Sequence, residues 1–224
     1  MGAKWVCLLA IDKSSNAFLR YTKLNQILEE SSMPTIKNVC VFCGSNHGYD
    51  PQFLEQTNAL GTYLAHHDHP VVYGGGKEGL MGAIATSTMA AGGQVISIIP
   101  TFLRELGLAK DDVTTFIETA TMDERKDEML RQSDAFIVLP GGFGTFEEFT
   151  TMLSWSQINV HQKPIALFNI DHYFDDLVAM MQKSCDAGFA PQENMNLFIN
   201  ATTIDGIFNG FATFKHQLPY KYTN

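Results

Sequence analysis

The sequence predicts an α/β protein: a three-layer α/β/α arrangement around a mostly parallel sheet. Three observations carry that prediction. From residue 37 onward, short apolar runs alternate with helix-length stretches, the rhythm of repeated strand–helix–strand units. The runs are apolar almost throughout rather than at every second residue, which marks strands buried on both faces. Two glycine clusters, at 74–76 and 141–144, directly follow such runs, at the strand carboxyl ends where open α/β sheets bind ligands.

Taken in order, "NVCVFCG" is the first strand. The helix "PQFLEQTNALGTYLAHH" opens at Pro51 after Asp50, because proline is pre-set for the first helical position. "PVVYGGG" is a strand running into glycines. "GLMGAIATSTMAAGG" is a small-residue helix stopped by Gly92 and Gly93. Then come the strand "QVISIIP", a further strand in "TTFIETA", the helix "TMDERKDEMLRQS", the strand "DAFIVLP" and the helix "TFEEFTTMLSWSQI". The strand "KPIALFNI", the helix "YFDDLVAMMQKSCDAG", a short strand "NLFINA" and a helix near 203–215 complete the series. Residues 1–33 stand outside this rhythm. They read as a poorly ordered N-terminal extension, with an amphipathic helical pattern before Pro34 and Met33 as an alternative translation start. The expectation is one catalytic domain over 34–224, with no internal repeat or low-complexity segment.

Bulk properties narrow the function. The chain has 224 residues, 45% of them hydrophobic, and a net charge of -9. That is enough for one sizeable core, and the acidic balance argues against a nucleic-acid-binding surface. The four cysteines are too few and too irregular for a disulfide framework. Cys40 and Cys43 lie three apart on a strand, so they face opposite sides of the sheet and read as buried thiols. "WVCLLAI" is far shorter than the ~20 residues of a membrane span and runs into Asp12 and Lys13, neither leader nor anchor. A cytoplasmic location is expected, with no membrane partner. The "HHDH" run at 66–69 falls at a helix end, where histidines suit the negative pole, and no metal site is expected there.

The glycine clusters carry the chemistry. Gly74-x-Gly76-x-x-Gly79 matches a dinucleotide fingerprint, but the next strand ends in Pro100 with no acidic residue to hold a ribose, and no GK[ST] follows. What remains is a loop for close backbone approach to a ligand, or a tight turn for helix–sheet packing. "PGGFGT" is the stronger signal. Gly141, Gly142 and Gly144 let successive N–H groups converge on an anion, and Thr145 adds a hydroxyl at a helix start. Thr145-x-x-Glu148 is also a capping-box pattern. At about 100° per residue, Phe146, Phe149, Met152 and Leu153 define the inward face, with Glu148 on its flank and Glu147 toward solvent.

In "TMDERKDEMLRQS", Met122, Met129, Leu130 and Ser133 share one helical face. Arg125 and Lys126 fall within that stripe. Cations there are costly unless paired, and a bound phosphate with Glu148 nearby would supply the anions; snorkelling or pairing with Glu124 or Glu128 is the alternative. A phosphate at one end of a ligand and a carboxylate at the other suit hydrolysis of the N-glycosidic bond of a nucleoside 5′-monophosphate, whose transition state is oxocarbenium-like.

These residues resemble the "lonely guy" family of cytokinin riboside 5′-monophosphate phosphoribohydrolases, whose members are often mislabelled lysine decarboxylases. "MDERK" fits the family's M-x-x-R-K and "PGGFGTFEE" its P-G-G-x-G-T-x-x-E, and the likeness covers roughly residues 37–215. The resemblance implies a Rossmann-like fold, a homodimer or larger homo-oligomer, and no metal or organic cofactor. It implies catalytic roles for Arg125 and Glu148. It puts the phosphate on Gly141, Gly142, Gly144 and Thr145, helped by Lys126. "CVFCGS" and "YGGGKEGLMG" are similar to the family's first two strand–loop segments, which adds Gly44, Ser45, Gly75 and Gly76 as substrate contacts; Glu105 and Glu147 complete the candidate set. Lys77 and Glu78 depart from the small or apolar residues that relatives carry there. The competing expectation is a non-catalytic nucleotide carrier, or one similar to molybdenum-cofactor carriers.

Overall fold

The computed structural model describes residues 36–217. The expected extension at 1–33 lies outside the described residues. Seven strands form one sheet in the order β4-β3-β2-β1-β5-β6-β7: β1 Val39–Phe42, β2 Val71–Tyr73, β3 Val95–Pro100, β4 Thr115–Thr119, β5 Ala135–Val138, β6 Ile165–Phe168 and β7 Ile199–Ala201. Every pairing is parallel, so the described sheet is wholly rather than mostly parallel. The helices are α1 Pro51–His66, α2 Gly79–Ala90, α3 Thr101–Glu105, α4 Met122–Gln132, α5 Phe143–Gln157, α6 Asp175–Asp186 and α7 Ile204–Thr213. The short α3 is absent from the sequence expectation; five residues give no periodicity to read.

Strand side chains alternate between two cores. Val39, Val41, Tyr73, Ala135 and Ile137 face Leu60 and Leu64 of α1, Leu80 and Ile84 of α2, and Ile207 and Phe211 of α7. Cys40, Phe42, Val72, Phe136 and Val138 face the other way, onto Met129 of α4 and Phe149 and Met152 of α5. Cys43 belongs to the first core and Cys40 to the second, as their spacing on a strand requires. Both are free and buried.

Two consequences position the site. The strand order grows outward from β1 toward β4, then restarts at β5 on β1's other side. A crevice therefore opens beyond the carboxyl ends of β1 and β5, the switch point of the sheet. In addition, α4 and α5 cover the same face, so residues on their facing flanks can meet although they lie more than twenty positions apart in the chain.

Candidate active site

A cleft of about 580 Å³ lies at that switch point. The loop after β1 gives it Cys43, Gly44, Ser45 and Asn46; the loop after β2 gives Gly74, Gly76, Lys77 and Glu78; the α5 start gives Gly142, Phe143, Gly144 and Thr145. Arg125 and Glu148 line it from α4 and α5. Their side chains form an ion pair, Arg125 Nη1 to Glu148 Oε1, at 3.0 Å, and both residues are more than nine-tenths buried.

The guanidinium is fixed from three sides. Nε donates to the carbonyl of Ile98 and Nη2 to that of Gly74, each at 3.2 Å. A fork of five donors suits such multiple bonding, and a lysine could not reproduce it. Gly74 is glycine for a steric reason, since a Cβ there would run into the guanidinium. Glu148 is held by the helix that Phe149 and Met152 anchor in the core. Burial pushes its carboxyl up to about 7, while Arg125 pulls in the opposite direction. A buried carboxylate balanced near neutrality is suited to exchanging a proton with a reacting water.

An uncapped helix start opens on the cleft where α5 begins. The helix starts at Phe143 with Gly142 as N-cap, and no side chain caps it. The first-turn N–H groups have no intrahelical acceptors, and the residues that carry them, Phe143, Gly144 and Thr145, line the cleft. This corrects the capping-box reading of Thr145-x-x-Glu148: Thr145 is already the third helical residue, and Glu148 turns to Arg125 instead. The capping pair that does form is Thr121 with Glu124. The Thr121 hydroxyl accepts from Glu124 N at 3.1 Å, and the Glu124 carboxylate accepts from Ala120 N at 2.8 Å. Close packing shapes the loop before α5. A Cβ on Gly141 would clash with the Thr145 side chain and with Gly44 N.

Several expected contacts lie elsewhere. Lys126 does not line the cleft; its ammonium pairs with Glu147 at 2.6 Å and with Asp123 at 3.2 Å. The two cations are therefore supplied with anions by Glu148 for Arg125 and by Glu147 with Asp123 for Lys126, and the two adjacent glutamates lace α4 to α5 in parallel. Glu105 ends α3 exposed and outside the cleft wall, whereas Leu103 and Leu108 of the same segment line it. Gly75 is also outside the lining. Its φ of 75° makes the turn, and its carbonyl accepts from Lys110 N at 2.9 Å. Gly141 borders a side cavity next to the cleft. Met122, placed on the inward face by periodicity, is partly exposed.

Sequence reasoning missed the apolar wall of Met81, Ile99, Leu103 and Leu108. Ile99, at the carboxyl end of β3, could have been found from the switch-point rule; Leu103 of the short α3 and Leu108 beyond it carried no signal. Of the "HHDH" residues, His67 stacks on Tyr63 and His69 on Phe208. Among the described residues no cluster of His, Cys, Asp or Glu is arranged to hold a metal, and no helix is long and apolar enough to cross a membrane.

Comparison with known proteins bears on the family and the fold. A family model described as possible lysine decarboxylase matches residues 81–210. A probable cytokinin riboside 5′-monophosphate phosphoribohydrolase of Oryza sativa subsp. japonica is 42% identical over 165 residues, 74% of this chain and 73% of the relative. A cytokinin riboside 5′-monophosphate phosphoribohydrolase of Arabidopsis thaliana is 37% identical over 172 residues, 77% of this chain and 81% of the relative. Among solved structures, the molybdenum cofactor carrier protein of Chlamydomonas reinhardtii aligns with a TM-score of 0.57 at 22% identity, covering 76% of this chain and 92% of that one. A molybdenum cofactor binding protein of Rippkaea orientalis aligns at 0.58 and 21%, covering 79% and 96%. These structural likenesses bear on the fold, which is Rossmann-like. The sequence matches carry the family: the chain belongs to the one whose model is described as possible lysine decarboxylase and whose curated members are named cytokinin riboside 5′-monophosphate phosphoribohydrolases.

Proposed function

We propose that this chain is a phosphoribohydrolase that cleaves the N-glycosidic bond of adenosine 5′-monophosphates, N6-substituted cytokinin nucleotides among them, to free base and ribose 5-phosphate. One observation carries the reading: a buried Arg125–Glu148 pair on the wall of a cleft that also contains an uncapped helix start. The 5′-phosphate takes the first-turn N–H groups of α5, where the helix dipole is positive. The ribose then lies beside Glu148, and the base extends along Met81, Ile99, Leu103 and Leu108.

The C1′–N bond breaks with its electron pair leaving on the base, which takes up a proton from solvent, balancing the one that Glu148 takes from water and afterwards returns to solvent. Glu148, ionised, stabilises the positive charge developing on the sugar and accepts a proton from the water that adds at C1′. Arg125 keeps the buried carboxylate charged and aimed. In this reading Lys126 and Glu147 brace α4 against α5 from outside the cleft, and Gly44, Ser45 and Gly76 contact the nucleotide.

The reading includes a homodimer or larger homo-oligomer and a cytoplasmic location. Exposed Leu106, Phe143 and Phe189 offer apolar surface that a second copy would cover, and free buried thiols suit a reducing compartment. The test is incubation with AMP and with N6-isopentenyl-AMP, followed by chromatography of the products. Free base and ribose 5-phosphate in equal amounts support the proposal. Binding without release supports a nucleotide carrier instead.

A further inference from the structure

The connection between β6 and α6 contains two consecutive non-glycine residues in left-handed backbone, Asp171 at φ 47° and His172 at φ 60°. Such conformations persist only where the surroundings over-determine them. Here the surroundings do. The Asn169 side chain accepts from Phe174 N and donates to Asp175, both at 2.7 Å. His172 Nδ1 lies 3.1 Å from the same carboxylate. Asn169 N itself donates to the carbonyl of Ala201 at 2.8 Å. What this contortion delivers is the placement of Tyr173. Its ring stands edge-on to Phe53 and to Phe174, with centroids 5.6 and 5.0 Å away, and its hydroxyl donates to the carbonyl of Gly141.

That bond fixes one peptide plane within the proposed anion seat at the start of α5. In a trans peptide the C=O and the following N–H point in opposite directions. Tyr173 and Gly141 border the side cavity together with Phe53 and His47, whereas Phe143, Gly144 and Thr145 border the main cleft; Gly142 borders both. Between two glycines a peptide can rotate with little steric resistance. Rotated, the Gly141 carbonyl would face the seat and repel an anion.

We infer that Tyr173 is a positioning residue: its hydroxyl pins the Gly141 carbonyl away from the cleft, so that the Gly142 N–H is directed into the seat for a phosphate monoester. The same bond polarises that peptide and strengthens its N–H as a donor. The inference rests on the proposed use of this seat for a 5′-phosphate.

Tyr173→Phe keeps the ring contacts and removes only the hydroxyl. The measurements are calorimetric binding of ribose 5-phosphate and of adenosine, with steady-state kinetics on AMP. The variant is expected to bind ribose 5-phosphate about tenfold more weakly and to show a matching rise in KM for AMP, with kcat within about twofold of the parent. Adenosine, which lacks the phosphate, should bind both proteins alike. Equal affinity of parent and variant for ribose 5-phosphate overturns the inference. So does an equal loss for adenosine, which would indicate general distortion. No binding of ribose 5-phosphate by the parent removes the phosphate seat itself, and the proposed function with it.

Discussion

Glu147 and Glu148 are neighbours with opposite surroundings. Glu147 is exposed and pairs with Lys126; Glu148 is buried against Arg125. Helical geometry alone separated them, since a rotation of about 100° turns one outward when the next lies on the flank of the core face. Glu148 was expected near both Arg125 and Lys126; what the sequence could not show was the division, Glu148 to Arg125 and Glu147 to Lys126. A capping box is a local pattern, and Arg125 is a tertiary competitor for the same carboxylate. The environment of Glu148 makes a pH prediction. With its carboxyl raised from an ordinary 4.5 to about 7 by burial, and needed in ionised form, kcat/KM should fall below about pH 7, approaching tenfold per unit. A kcat/KM flat from pH 5 to 8 would count against an ionised Glu148. Folding stability follows the opposite sense. The folded state binds this proton more tightly than the unfolded chain, so ionising Glu148 withdraws stability as pH climbs from 4.5 toward 7.

The helices α4 and α5 bring the site together because both pack on the face lined by Phe136 and Val138. Their existence and type were legible from composition and periodicity. Their starts were not equally so. The α4 start lies where "TMDE" puts it, with Thr121 as cap and Glu124 reciprocating. The α5 start lies two residues before Thr145, because Gly141 and Gly142 form a loop whose tight contacts with Thr145 and Gly44 leave the threonine inside the first turn. A substitution follows from the cap. Thr121→Ala is expected to cost about 1 kcal/mol, read as a melting temperature lower by about 2–4 °C for a protein of this size. An unchanged melting temperature would mean that water replaces the hydroxyl at no cost. Arg125, one turn further along α4, makes the same helix essential to the cleft. Glu148 was expected near it, but its bonds to the carbonyls of Gly74, just after β2, and of Ile98 on β3 are contacts that no single-sequence pattern announces.

For the whole molecule, a parallel α/β architecture was readable from near-continuous apolar strands, and the site's location from glycines at strand carboxyl ends. The strand order was not readable, since apolar runs such as "VVY" and "AFIV" carry no record of which neighbour they pair with. Nor was the apolar wall from α3, where a helix of five residues leaves no period. The alternation of strands and helices in the sequence begins only at residue 37. Deleting residues 1–33 is therefore expected to leave the circular-dichroism spectrum and AMP turnover close to those of the full chain; loss of the fold would show that the segment is part of the domain. Catalysis by Glu148 is tested by comparing the full chain with Glu148→Gln, measuring nucleotide binding by calorimetry and base release by chromatography in the same preparations. The variant is expected to keep AMP affinity within a few fold of the parent and to release base at least about a hundredfold more slowly. Near-parental base release from the variant would contradict a catalytic Glu148, leaving it as no more than a counter-ion for Arg125.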